Sequence, residues 1–315
     1  MVETAVLILV GPTGSGKTSL SVDIASALGA EIISADSRQI FRYMDIVTAK
    51  PDRDQLSKIP HHFIDIVNPD QPYDAGQYGL DARDRVRVLH EEGKPVLVVG
   101  GSGLYIKALV DGFFESSSRD DHFRVELRKR IDEVGAKAIH DELRAVDPVT
   151  ADRLHPNDVK RIERALEVYH LTGRPVSSLR EEPSIPLPWT PVFVGLQWSR
   201  EVLYSRIERR VDEMLIAGAV EETKKLLRMG YNPDLVSMEG LGYREIADYV
   251  AGRTTYERMT ELFKQRTRNY AKRQLTWFRK DLRIKWFNMR EEHDGLMAEK
   301  IVEYWKERRA DTGPP

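Results

Sequence analysis

The sequence predicts an α/β fold, a parallel sheet flanked by helices and interrupted by a helical insertion. Three observations carry that expectation. Apolar runs alternate with helical patterns through the first half, the first run opens into a glycine-rich loop, and a charged helical stretch separates the earlier runs from two later ones. Such alternation needs crossover connections and hence a buried, parallel sheet.

The first strand is Val6-Leu7-Ile8-Leu9-Val10, and Gly11-Pro12-Thr13-Gly14-Ser15-Gly16-Lys17-Thr18 follows it directly, a complete GxxxxGK[ST] pattern ahead of a helix. Its glycines let successive N–H groups turn inward around phosphate oxygens, Lys17 can reach a terminal phosphate, and the Thr18 hydroxyl can ligate Mg2+. The helix N-terminus beneath adds the positive end of its dipole. The setting predicts a P-loop NTPase-like, nucleotide-kinase-like core that binds a diphosphate or triphosphate, and leaves the reaction open.

The second strand, Glu31 to Ser34, delivers Asp36 to the carboxyl edge of the sheet, where the phosphate loop also opens and where ligands of open α/β sheets sit. A carboxylate there can serve as general base, an effect of roughly 10²–10⁴-fold. An equal alternative is that Asp36 or Ser37 caps a following helix. A third strand is expected over His62 to Val67. His61-His62 invites a metal site, but adjacent residues of an entering strand point to opposite faces, which favours a structural role.

The fourth strand, Val96 to Val99, runs into Gly100-Gly101-Ser102-Gly103. That turn suits packing and close approach to a ligand equally well. Many phosphate-loop NTPases place a Mg2+-binding aspartate at this strand end. Gly100 stands here instead, with Asp65 as a candidate substitute, and no NKxD guanine-reading sequence is present.

From Ser116-Ser117-Ser118 to the proline-rich Pro183 to Pro188 the pattern is helical and charged. This predicts an insertion domain over 116–189 within a core of 1–115 plus 190–315. Val192 to Leu196 and Ile284 to Phe287 supply the last strands. Between them, Ser199 is the N-cap of a long helix with Leu203, Ile207, Val211 and Met214 on one face and Gly230 after its end. Arg210 sits near the buried edge of that face, compatible with an arginine turned toward a diphosphate. A further helix over 255–279 places Met259, Phe263, Tyr270 and Trp277 on one stripe. Residues 258–280 hold eight Lys or Arg against the single acid Glu261. An excess of seven positive charges repels itself without an anionic partner, which points to nucleic acid.

The 315 residues, 41% hydrophobic, suffice for one large core plus the insertion. Zero cysteines exclude disulfides, thiol nucleophiles and cysteine-ligated zinc, so any metal is a hard, oxygen-bound ion such as Mg2+. No run approaches the roughly 18 apolar residues of a membrane span, and the chain enters a strand at once without a leader pattern. The expectation is a cytoplasmic monomer with no membrane partner. A net charge of −2 does not exclude a basic face.

Taken together, the motifs resemble the isopentenyl-tRNA transferase family, the bacterial tRNA dimethylallyltransferases. The matching residues are Gly11 to Thr18, Asp36-Ser37-Arg38-Gln39-Ile40-Phe41, Met44-Asp45-Ile46 with Thr48-Ala49-Lys50-Pro51, His61-His62, Gly100 to Tyr105, His155-Pro156-Asn157-Asp158 with Arg161, Arg164 to Val168, Gly242-Tyr243-Arg244, and Lys272-Arg273-Gln274-Leu275-Thr276-Trp277. The resemblance implies transfer of a dimethylallyl group from dimethylallyl diphosphate to N6 of the adenosine just 3′ of the tRNA anticodon, releasing diphosphate. It implies that the loop holds the leaving diphosphate, that Asp36 takes the N6 proton, that Thr18 holds the leaving group with Mg2+, and that Arg210 steadies it. It implies tRNA contacts at Asp36, Ser37, Arg38, Gln39, Ser102 and Arg124. The same holds for Lys160, Arg161, Ile162, Glu163, Arg164, Glu239, Gly240, Leu241, Gly242, Tyr243, Arg244, Lys272, Arg273, Gln274, Trp277 and Arg279, with the insertion clasping the anticodon stem. Phe41 stands where many members carry tyrosine, and the zinc finger of eukaryotic relatives is missing. Two other readings compete. An ATP-dependent small-molecule kinase explains the loop and Asp36 but not the basic helix, and an RNA-binding protein without chemistry leaves Asp36 idle.

Overall fold

A computed structural model of the chain describes residues 5–112, 120–181, 187–289 and 294–311. The chain runs through β1 (Ala5–Val10), α1 (Lys17–Leu28), β2 (Glu31–Ala35), α2 (Arg53–Lys58), β3 (His61–His62), α3 (Ala75–Glu91), β4 (Val96–Gly100) and α4 (Gly103–Val110). Five helices follow, α5 (Asp121–Val134), α6 (Ala136–Val146), α7 (Pro148–Arg153), α8 (Val159–Thr172) and α9 (Val176–Arg180). The chain then returns as β5 (Thr190–Gln197), α10 (Arg200–Ile216), α11 (Ala219–Arg228), α12 (Tyr243–Val250), α13 (Tyr256–Phe278), β6 (Lys285–Asn288) and α14 (Asp294–Asp311).

The six strands form one sheet in the order β3-β2-β4-β1-β5-β6, and every pairing is parallel. All six residues of β1 are buried. Val6, Ile8 and Val10 enter the core cluster shared with α3, α4 and α11 to α13. Leu7 and Leu9 enter the cluster shared with α1 and α14. Helices thus cover both faces, which is why the strands read as continuous apolar runs without alternation. With all strands parallel, β1, β2, β4 and β5 release the phosphate loop, Asp36, Gly101 and Trp198 at one edge.

Residues 111–186 form a separate compact unit from the rest of the chain. It has its own core, built from Leu127, Ile139, Leu143, Ile162, Ala165 and Val168. The expected insertion, 116–189, has its junctions at or beside 113–119 and 182–186, outside the described residues. No helix among the described residues is long and apolar enough to cross a membrane.

Two local expectations are corrected. The third strand does not run from His62 to Val67; only His61 and His62 pair with Ile32 and Ile33. Phe63 and Asp65 adopt φ of 65° and 56°, which breaks the ladder, and Val67 returns in a single bridge with Phe41. The helix capped by the Ser199 hydroxyl is also two helices rather than one. They part at Gly218, whose φ of 103° no helix interior accommodates.

Candidate active site

Within the first unit, Thr13 to Thr18, Asp36 to Gln39, Lys50, Arg206, Arg210, Tyr270, Arg273 and Gln274 line one cleft of about 1290 Å³ at the carboxyl edge of the sheet. The phosphate loop forms its floor. Lys17 Nζ donates to the carbonyls of Gly11 and Pro12, both at 2.8 Å, so the lysine folds back along its own loop. Burial, and after it the Arg210 guanidinium, push the Lys17 pKa down to about 7, with Asp36 pulling the other way. The Thr18 hydroxyl has no hydrogen-bond partner among the described residues and faces the cleft.

Three side chains far along the sequence hold this loop. Trp198 Nε1 donates to the Ser15 carbonyl at 3.1 Å. Arg206 Nε donates to the Gly14 carbonyl at 3.0 Å, with its guanidinium 4.3 Å from the centre of the Trp198 ring. Gln274 Oε1 accepts the Thr13 N–H at 2.8 Å. Sequence reasoning missed Trp198 and Arg206. The available signals were the position of Trp198 just past the carboxyl end of a strand and of Arg206 beside the apolar Ile207.

Asp36 lies one residue past β2. Its Oδ1 accepts the Arg38 N–H at 2.9 Å in a turn, and no helix begins there, the next being α2. The capping alternative is therefore set aside: Asp36 closes its own turn and faces the cleft. The Ser37 N–H donates to Ser102 Oγ at 2.9 Å, which ties this segment to the turn after β4. Arg38 reaches the Val236 carbonyl, and Gln39 donates to the Ala49 carbonyl at 3.1 Å. Arg210 is half-buried with no ion pair or hydrogen bond among the described residues; burial lowers its pKa and the Asp36 carboxylate pushes it back up.

The glycines after β4 serve packing. A Cβ on Gly101 would collide with Gln274 Nε2, and one on Gly103 with the Trp277 ring. Near Ser102 is Tyr270, whose phenol is pushed up to about 12 by burial and then by Asp36. Asp65 is not a free carboxylate. It pairs at 2.5 Å with Lys50, which also holds Asp45 and the Phe41 carbonyl, so it does not replace the missing metal aspartate. Phe41 itself is buried. His61 and His62 are engaged with the Ile59 carbonyl and the Glu31 carboxylate, each at 2.7 Å. Among the described residues no cluster of three or more His, Asp or Glu could hold a metal.

Glu239, Gly240, Leu241 and Tyr243 line the cleft, and Arg244 is exposed. Tyr243 is 1% exposed, and its hydroxyl donates to Glu222. The same carboxylate accepts the N–H groups of Asp45, Ile46 and Val47. Glu222, which the sequence did not reveal, thus braces the wall of the cleft at 45–47. Gly242 donates its N–H to Glu245.

The basic helix carries less free charge than its sequence suggests. Lys264 pairs with Asp212 and Arg268 with Glu208, both acids of α10, Arg266 pairs with Glu245 of α12, and Arg258 with Glu261. Helices remote in sequence thus supply three of the seven missing acids, and the excess left on the helix and its end is smaller than the sequence suggests. Lys272, Arg273, Arg279 and Lys280 are exposed and have no acidic partner among the described residues. Lys272, Arg273, Trp277 and Lys280 line a shallow groove on the helix surface.

In the insertion, Arg124 forms a bidentate pair with the fully buried Glu167, Arg164 joins at 2.5 Å, and Arg128 pairs with the buried Glu163. Burial opposes ionisation of Glu167, but the hydrogen bonds from Arg124 and Arg164 hold its pKa at about 2. Ile162 is core, Arg161 pairs with Asp158 at 3.0 Å, and Lys160 is exposed.

A family model described as IPP transferase matches residues 39–281. The chain is 45% identical over 303 residues to a tRNA dimethylallyltransferase of Syntrophobacter fumaroxidans, covering 96% of this chain and 88% of that one. It is 46% identical to the enzyme of the same name from Geobacter sulfurreducens, covering 90% and 92%. The structure resembles the full-length tRNA isopentenylpyrophosphate transferase of Bacillus halodurans, with TM-score 0.71, 36% identity and 98% of each chain covered. It also resembles a eukaryotic dimethylallyltransferase described as acting on tRNA, with TM-score 0.83 and 26% identity over 98% of this chain and 80% of that one.

Proposed function

The chain belongs to the IPP transferase family, and from that premise we propose that it moves a dimethylallyl group from dimethylallyl diphosphate to N6 of the adenosine 3′-adjacent to the tRNA anticodon. It is a tRNA-modifying prenyltransferase. The kinase alternative is not favoured: the relatives are transferases of tRNA, and the carboxylate that was to replace the absent metal aspartate is held by Lys50.

The observation that carries the chemistry is the shared cleft of Asp36, Arg210 and the phosphate loop. In the proposed step the N6 amine forms a bond to C1 of the allyl group while the C1–O bond breaks. The electron pair of that bond leaves with diphosphate, and the N6 proton passes to Asp36. Negative charge builds on diphosphate as the bond breaks, so fixed donors aimed there act most strongly in the transition state. Loop N–H groups, Lys17 and Arg210 are those donors. Magnesium on the diphosphate would add charge neutralisation there, and the Thr18 hydroxyl, one hard oxygen without a partner among the described residues, fits an ion that takes most of its ligands from phosphate and water.

The adenine reaches the allyl carbon only if it leaves the anticodon-loop stack. The exposed Lys272, Arg273, Arg279 and Lys280 offer backbone contacts beside the cleft. The protein acts as a monomer on one tRNA. The test is to incubate unmodified tRNA, dimethylallyl diphosphate, Mg2+ and protein without ATP, then weigh the digested nucleosides. One adenosine per substrate tRNA gains a five-carbon unit; no gain would refute the proposal.

A further inference from the structure

Helix α13 has two unlike faces. The outward one carries Lys272, with Lys280 just past the helix end and Arg273 between this face and the cleft. The inward one touches each residue of the turn after β4 in succession. Tyr270 lies near Ser102, Gln274 Nε2 donates to the Gly101 carbonyl at 2.9 Å, and Trp277 packs where a Gly103 Cβ would stand.

Among the described residues of α13, Gln274 alone reaches further by a hydrogen bond to the phosphate loop. Its Oε1 accepts the Thr13 N–H of the phosphate loop at 2.8 Å, so one carboxamide, 7% exposed, joins the loops that follow the adjacent strands β1 and β4. Both halves of the amide are used, one as acceptor and one as donor, and no side chain lacking either can hold both loops. Through Ser102 the same turn accepts the Ser37 N–H next to Asp36. A shift of α13 therefore moves the diphosphate cradle and the Asp36 turn together.

We propose that Gln274 is a positioning residue that couples docking of nucleic acid on the outward face of α13 to the shape of the diphosphate cradle. The inference rests on the tRNA prenyltransferase reading above. Coupling between two sites is reciprocal, so tRNA tightens binding of the allyl diphosphate and the diphosphate tightens binding of tRNA by the same factor. Gln274 carries that factor through the two loops it joins.

The test measures the affinity for a non-reactive thiolo analogue of dimethylallyl diphosphate, with and without a saturating anticodon stem-loop. Wild type shows a tightening of roughly fivefold or more. In Gln274→Met the ratio falls to within about twofold of unity, whatever the change in stem-loop affinity measured alone. Gln274→Glu gives the sharper readout. An ionised carboxylate cannot donate to Gly101, but a protonated one presents the same acceptor and donor as the amide. Coupling in Gln274→Glu is therefore absent at high pH and returns as pH falls through the pKa of the buried carboxyl, whereas wild type shows no such return.

Coupling in wild type that persists in both variants at all pH values overturns the inference, as does wild type that binds both ligands with a ratio of one. Wild type that binds neither ligand overturns the functional reading and the inference with it. If Gln274→Met does not fold, the pH dependence of Gln274→Glu decides alone.

Discussion

The Arg206 guanidinium lies 4.3 Å from the centre of the Trp198 ring, and each of the two donates to a different carbonyl of the phosphate loop, Gly14 and Ser15. The stack makes the two hydrogen bonds a single brace. These two donors fix two successive peptide units of the loop. Trp198→Phe keeps the ring face and removes the N–H. It should cost about 1 kcal/mol, roughly fivefold in diphosphate affinity, with little change in affinity for tRNA. Arg206→Lys should lose the planar stack, roughly 0.5–1 kcal/mol more. Calorimetric titration with diphosphate reads both, and unchanged affinity in both variants would refute the brace.

Lys17 predicts a proton linked to ligand binding. Its pKa in the free protein is about 7, lowered from the ordinary lysine value by burial and then by Arg210. Between that value and about 10.4 the unfolded chain holds a proton that the folded one does not. Stability from this group therefore rises as pH rises through that window, and the full penalty of burying the charge is present below pH 7. A diphosphate beside Nζ reverses the shift, so binding at about pH 8.5 takes up close to one proton. Arginine stays protonated throughout, so Lys17→Arg should lack this uptake. Calorimetry in buffers of different ionisation enthalpy measures the difference, and equal uptake by both proteins would contradict the assignment.

Asp36→Asn separates base from scaffold. The amide oxygen still accepts the Arg38 N–H, so the turn survives, but no carboxylate remains to take the N6 proton. Transfer should fall by roughly 10²–10⁴-fold with tRNA affinity within about twofold of wild type. Single-turnover rates at saturating tRNA read the first quantity and filter binding the second. A large loss of tRNA binding with an intact rate at saturation would make Asp36 a contact residue instead.

The residues legible in the sequence are those whose meaning is local. Gly11 to Thr18 and Asp36 each follow a buried apolar run by one or two residues, and the parallel order of the sheet then brings them to one edge. Gln274, Trp198 and Glu222 were not readable as loop braces, because their partners lie 261, 183 and about 176 residues away. The turn Gly100 to Gly103 was ambiguous for the same reason: whether its glycines face a ligand or a helix depends on where α13 lands. Phe63 and Asp65 broke an expected strand through backbone angles that no hydrophobic pattern encodes.

The basic helix shows the same limit and gives the last prediction. Counted along the chain, residues 258–280 carry eight positive charges, yet Lys264 and Arg268 are matched by Asp212 and Glu208 of α10. A cation already paired releases few counterions when a polyanion arrives, because its field is largely cancelled. Lys272 and Arg273 have no acidic partner among the described residues. Lys272→Ala or Arg273→Ala should therefore weaken tRNA binding and flatten the plot of log affinity against log salt by about one unit each. Lys264→Ala should leave the slope unchanged, even though it removes the same formal charge from the same helix. Binding measured from about 50 to 200 mM salt distinguishes the two, and equal slopes for Lys264→Ala and Lys272→Ala would show that the helix acts through its total charge rather than through its unpaired end.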